Sequence, residues 1–194
     1  RLNVTSRWYT MANYSDLFPR GTGGATIAAI HRGVITMAGG SSTATATIPS
    51  VDLTKSFVRF NGDGAQNTNS GGTSSAATLS LTSSTTVEAV RQSSSNDFLI
   101  GYEVVEYASG VAQVIQQEID YTTSSLSFTK TLDGSASVDP TKTEIIYGGQ
   151  RITNGTQVFT SPAGVYLLNA TTLQCEKRNG NSQAIARVTV VEFK

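Results

Sequence analysis

Val51-Asp52-Leu53-Thr54-Lys55 returns as Val138-Asp139-Pro140-Thr141-Lys142 (138 − 51 = 87), and Val104-Val105-Glu106 returns as Val190-Val191-Glu192 (190 − 104 = 86). Between these anchors Thr85-Thr86-Val87 is matched by Thr171-Thr172-Leu173, and Ile35 to Ile48 lies over Ile119 to Leu132 (119 − 35 = 84). Offsets this close point to one tandem duplication with small insertions, which sets element boundaries before any side chain is read. The expected organisation is an extended N-terminal arm, residues 1–26, a first unit, residues 27–108, and a second, residues 109–194. Units of this size bury only roughly 60–65% of their unfolded surface, so packing of the units on each other or on other subunits is expected.

Within each unit the signal is for strands. Thr43-Ala44-Thr45-Ala46-Thr47-Ile48 alternates strictly after Gly39-Gly40, the period of a half-buried strand behind a turn. Ile27 to Met37, Ala77 to Leu81, Val87 to Arg91 and Phe98 to Tyr107 complete the first unit. Their counterparts are Gln117 to Tyr121, Ser125 to Leu132, Val165 to Leu168, Leu173 to Lys177 and Ala184 to Phe193. An apolar run follows each Val-Asp block, Phe57 to Phe60 and Ile145 to Tyr147. Short strands with polar turns and no sustained helical period predict an all-β fold of two tandem duplicated β-sandwich units. Asn61 to Ser75 and Gly148 to Pro162 read as polar surface loops, because such segments bury too little apolar surface to offset their ordering entropy.

Composition narrows the function. Lys plus Arg and Asp plus Glu are each 14, a net charge of zero, and charged residues are only 14% of the chain. A nucleic-acid binder needs a basic face to release counterions, so none is expected. A neutral Ser/Thr/Asn/Gly surface is weakly self-repelling and suits a protein that assembles. With one Cys and one His the chain forms no intrachain disulfide and no His/Cys zinc site. No apolar run approaches the ~18 residues of a membrane span, and no signal-peptide pattern opens the sequence.

The catalytic inventory is poor. His31 lies inside a predicted strand with no G-x-S-x-G elbow to serve, and Cys175 occupies the repeat position of Ala89, a small core site. Glu106 and Glu192 are copies of one position, so they read as satisfied scaffold carboxylates, paired with Arg91 and Arg178. Asp52 and Asp139 are placed to accept backbone N–H groups in an Asx-turn or short helical cap. Asn61-Gly62-Asp63-Gly64 lacks the alternating ligands and distal Glu of a calcium loop. No catalytic residue, cofactor or metal site is therefore expected. Interaction residues are sought where the repeat fails: Trp8, Tyr9, Tyr14 and Phe18 of the arm, and Asn61, Asp63, Asn67, Asn69, Arg151 and Asn154 of the loops. The arm is too aromatic for a free tail and must dock, on its own chain or on a neighbouring subunit. Tyr102, Tyr107, Tyr147 and Tyr166, with Trp8, form an alternative sugar-binding platform.

The run Ile30-His31-Arg32-Gly33-Val34-Ile35-Thr36, the alternating Thr43 to Ile48, the Val51 to Lys55 block and the closing Tyr102-Glu103-Val104-Val105-Glu106-Tyr107 resemble a small repeated β module of structural proteins in tailed bacteriophages. The likeness covers residues 27–107, and the second copy departs at Gln116-Gln117-Glu118. The resemblance implies a non-enzymatic virion component, a capsid-decoration (cement) or tail accessory protein. The expected partners are copies of itself, a trimer favoured because three duplicated chains present six similar units, and other virion proteins. A receptor-binding tail module gripping host-surface glycans is the alternative.

Overall fold

The computed structural model describes residues 24–65, 77–91, 96–121, 125–154, 163–177 and 183–194. These residues are all-β and sandwich-like. The first half runs β1 (Thr26–Met37), β2 (Thr43–Thr47), β3 (Ser56–Ala65), β4 (Ala77–Ser83), β5 (Thr86–Arg91) and β6 (Phe98–Ser109). Past Gly110 come β7 (Val111–Asp120), β8 (Ser127–Thr131), β9 (Thr143–Asn154), β10 (Ala163–Asn169), β11 (Thr172–Lys177) and β12 (Gln183–Phe193). In the first half β1-β6-β3 forms one antiparallel sheet and β2-β5-β4 lies in another; in the second half β7-β12-β9 and β8-β11-β10 repeat those orders.

Alternation decides what each sheet buries. Ile35, Val58, Leu79, Val87, Ile100 and Val104 meet in one core between β1-β6-β3 and β2-β5-β4. Ile119, Leu173, Cys175, Ala186, Val188 and Val190 meet in a second core at the corresponding place. Each fully buried Val, Leu or Ile side chain contributes about 1.5–3 kcal/mol. A third core uses the opposite faces of the central sheets: Phe57 and Val105 of the first half pack with Val111, Ile146 and Val191 of the second. Adjacent residues such as Val104 and Val105 therefore serve different cores. Continuous apolar runs in β3 and β6 follow from burial on both faces.

The repeated Asp and Glu build the same clasp twice. Asp52 Oδ1 accepts from the Thr54 N–H at 2.9 Å and the Thr54 hydroxyl at 2.6 Å; Asp139 accepts from Thr141 at 2.9 and 2.7 Å. The Asp52 N–H donates to Glu106 Oε1 at 2.8 Å, and the Asp139 N–H donates to Glu192 Oε1 at 2.7 Å. The Asx-turn expectation is met, with Asp139 capping the single-turn 3₁₀ helix Pro140–Lys142. The expected Arg91 to Glu106 pairing is not. Arg91 instead donates to the carbonyls of Ser41, Ala38 and Asn96 and stacks on Phe98. Among the described residues the Glu106 carboxylate makes no ion pair and accepts from the Asp52 N–H. Arg178 lies outside the described residues.

Three boundaries differ from the sequence reading. β3 runs on to Ala65 through polar residues, because Asp63, Gly64 and Ala65 pair with Ile100, Leu99 and Phe98 of β6. A bulge at Asn61 and Gly62, the latter at φ 105°, absorbs the change of register. β9 likewise continues through Asn154, paired with Gln183 of β12. Ladder pairing to β6 and β12 holds both segments despite their mostly polar side chains. β7 begins at Val111 rather than Gln117, since Val111 and Val114 pack in the third core and the strand pairs with β12 from Val111 on.

Candidate functional site

The outward face of the β1-β6-β3 sheet is a set of cross-strand rows fixed by register. Ile30 lies opposite Val105, and Val105 opposite Phe57; Arg32 lies opposite Glu103, and Glu103 opposite Arg59; Val34 lies opposite Gly101, and Ile27 opposite Tyr107. The middle row is ionic. Glu103 accepts from Arg32 Nε at 2.5 Å and lies 3.6 Å from Arg59 Nη1, so one carboxylate serves two guanidinium groups. Arg59 also lies over the Phe57 ring, 5.8 Å from its centroid. The Phe57 end of this face is sealed by the third core, whereas Ile27 is 45% and Val34 62% exposed along β1. β1 is an edge strand among the described residues, so its free backbone groups border the same patch.

The second half has the same rows with different chemistry. By the repeat offsets Arg32, Glu103 and Arg59 correspond to Gln116, Thr189 and Ile146 (116 − 32 = 84; 189 − 103 = 86; 146 − 59 = 87). Thr189 again lies between them, opposite Gln116 on one side and Ile146 on the other. This face is covered. A single bridge, Thr78 with Gly149, joins β4 of the first half to β9, making one six-stranded sheet of order β2-β5-β4-β9-β12-β7. β4 also reaches β7 across the row. The Leu81 N–H donates to Gln116 Oε1 at 3.2 Å, and Gln116 Nε2 donates to the Leu81 carbonyl at 3.3 Å. Gly149, at φ 97°, allows the close approach, since a Cβ there would collide with the Ala77 carbonyl oxygen. The outward residues of β4, Thr78 and Ser80, are buried, as are Thr189 and Ile146.

The interaction residues expected from sequence are not brought together. Asn61 lies beside Gly101 at the end of the open face. Asp63, two residues on in β3, stays open to solvent, yet surrounding protein displaces enough water to push its carboxyl up to about 6. The neighbouring Tyr147, edge-on to Phe60 at 6.3 Å, is pushed up to about 12, first by burial and then by the Asp63 charge. Arg151 lies in β9 opposite Ile185, its buried Nε without a hydrogen-bond partner among the described residues. Asn154 is the last residue of β9. Trp8, Tyr9, Tyr14, Phe18, Asn67 and Asn69 lie outside the described residues.

Nor do the tyrosines make one platform. Tyr102 is buried in the first core, Tyr107 flanks the third core edge-on to Phe193, Tyr147 lies within β9 opposite Val188, and Tyr166 projects from β10. His31 is half-buried opposite Val104, and Cys175 is buried in the second core. Among the described residues no three His, Cys, Asp or Glu side chains stand together as a metal site, and no helix is long and apolar enough to cross a membrane.

The rows Arg32–Glu103–Arg59 and Ile30–Val105–Phe57 were missed from sequence. Their signal was present: repeat positions whose side chains differ in charge, on a strand whose apolar residues do not all fit one face. Comparisons with protein-family models, with curated proteins and with solved structures find no match.

Proposed function

We propose that the chain is a non-enzymatic structural component of a bacteriophage virion, a capsid-decoration or tail accessory protein built by duplication of one β-sandwich unit and acting through protein–protein contacts. The observation that carries this reading is the junction between the halves. One sheet face of the second half is buried under β4 of the first, through Gln116 and the Thr78–Gly149 bridge, while the β1 side of its counterpart on the first half, with Ile27, Arg32 and Val34, stays exposed. A unit that already packs on its own repeat suits an assembling particle. Asp52, Asp139, Glu106, Glu192 and Arg91 are engaged in scaffold hydrogen bonds, and the neutral polar composition agrees.

Mass spectrometry and immunoelectron microscopy of gradient-purified particles test the proposal. The expected result is the chain at fixed, high copy number and antibody label at regular positions on the head or tail. Its absence from intact particles sinks the proposal. Saturable, sugar-inhibited binding on a glycan array would instead favour a receptor-binding module.

A further inference from the structure

The intrachain junction has a donor and an acceptor, and each has a counterpart with an exposed part: the outward face of β10, and the β1 side of the β1-β6-β3 face. The donor is the outward face of β4, Thr78 and Ser80; its counterpart on β10 is Gly164 and Tyr166 (164 − 78 = 86; 166 − 80 = 86). Thr78 and Ser80 are buried in the junction, whereas Tyr166 is 48% and its outward neighbour Leu168 50% exposed. The acceptor is the row Gln116–Thr189–Ile146; its counterpart is the row Arg32–Glu103–Arg59, in which Glu103 is buried, Arg59 half-buried and Arg32 exposed, bordered on the β1 side by the exposed Ile27, Ile30 and Val34.

From this we infer that the outward face of β10 in one copy of the chain seats on the outward face of β1-β6-β3 in a second copy, repeating between chains the contact that β4 makes within one. The inference rests on the assembly reading above and names its surface and partner. Charge supports the choice of occupant. In the acceptor row the Arg32 guanidinium is exposed beside the buried Glu103, and the donor face presents the exposed Glu176 carboxylate, whose Oε1 accepts from the Tyr166 hydroxyl at 3.2 Å. An Arg32 guanidinium in the place of Gln116 donates to the carbonyl of Leu167, the counterpart of Leu81 (167 − 81 = 86), and Tyr166 offers it a ring face. Exposed apolar patches beside an open edge strand are association sites on general grounds.

Because donor and acceptor are different surfaces, the contact is head-to-tail. Repetition closes a ring or extends a filament, and three duplicated chains closing a ring would present six similar halves.

The test is sedimentation of the full-length chain and two folded variants, one per face. The native chain should associate, and Val34→Glu and Tyr166→Arg should each weaken association about thirtyfold or more. Mixing the two variants should restore a 1:1 dimer that grows no further, since one intact donor meets one intact acceptor. Arg32→Glu is the second acceptor variant if Val34→Glu loses its far-ultraviolet circular dichroism. A native chain that stays monomeric at high concentration overturns the inference. So does undiminished association of both variants, or a mixture that stays monomeric. A monomer found in purified particles sinks this contact but leaves the virion proposal standing, and a ring absent from particles does the reverse.

Discussion

At the scale of single residues, the repeated Asp and Glu are structural because each carboxylate receives backbone N–H groups that would otherwise be unpaired. Glu192 does more than Glu106. It accepts from the Asp139 N–H and from Gln113 Nε2, both at 2.7 Å, in a half-buried setting, whereas the Glu106 bond is exposed. Glu192→Ala should cost about 1–3 kcal/mol and Glu106→Ala about 1 kcal/mol in urea unfolding, with Glu192→Gln milder because it keeps an acceptor. Equal effects would argue against this reading.

The titration of Asp63 belongs to the same scale. Its folded value near 6 lies above the ordinary 3.8, so the folded chain holds this proton more tightly than the unfolded one. The cost of the ionised form is complete above about pH 6 and is relieved as pH falls towards 3.8. Asp52 and Asp139 act oppositely: Thr54 and Thr141 hold them below 3.8, so their contribution is present above that value and fades beneath it. The thermal midpoint should rise from pH 7 to pH 5 and fall below pH 4. Asp63→Asn should flatten the first slope and leave the second.

At the scale of elements, the polar ends of β3 and β9 could not be read as strand, because strand pairing there depends on β6 and β12 rather than on local alternation. The junction makes the same point. Gln116 is an unremarkable polar residue in sequence, yet its amide spans two backbone groups of β4. Gln116→Ala should lower stability by about 1–3 kcal/mol by leaving the Leu81 N–H and carbonyl unpaired. Gly149→Ala should cost about 1–3 kcal/mol through its positive φ alone, and more from the collision with Ala77. Both variants should raise hydrogen exchange at Thr78 to Leu81, and unchanged exchange there would contradict the crossing of β4 over β7-β12-β9.

At the scale of the whole molecule, the third core makes the halves interdependent. Phe57, Val105, Val111, Ile146 and Val191 are all buried by the partner half, so separating the halves exposes large apolar side chains on both. The full chain should unfold in one cooperative calorimetric transition. Residues 24–110 expressed alone should show a lower midpoint and bind a hydrophobic dye. Two resolved transitions in the full chain would show instead that the junction contributes little.

The sequence by itself determined the all-β class, most strand positions, the repeat and the Asx clasps. These rest on a two-residue period and on hydrogen bonds that reach two residues along the chain, both local. Only the tertiary structure decided which of two corresponding sheet faces is covered. Arg32–Glu103–Arg59 and Gln116–Thr189–Ile146 occupy the same register in the same sheet position, and what separates them is whether another strand passes overhead. That depends on contacts far apart in sequence, Leu81 with Gln116 and Thr78 with Gly149, which no local pattern specifies.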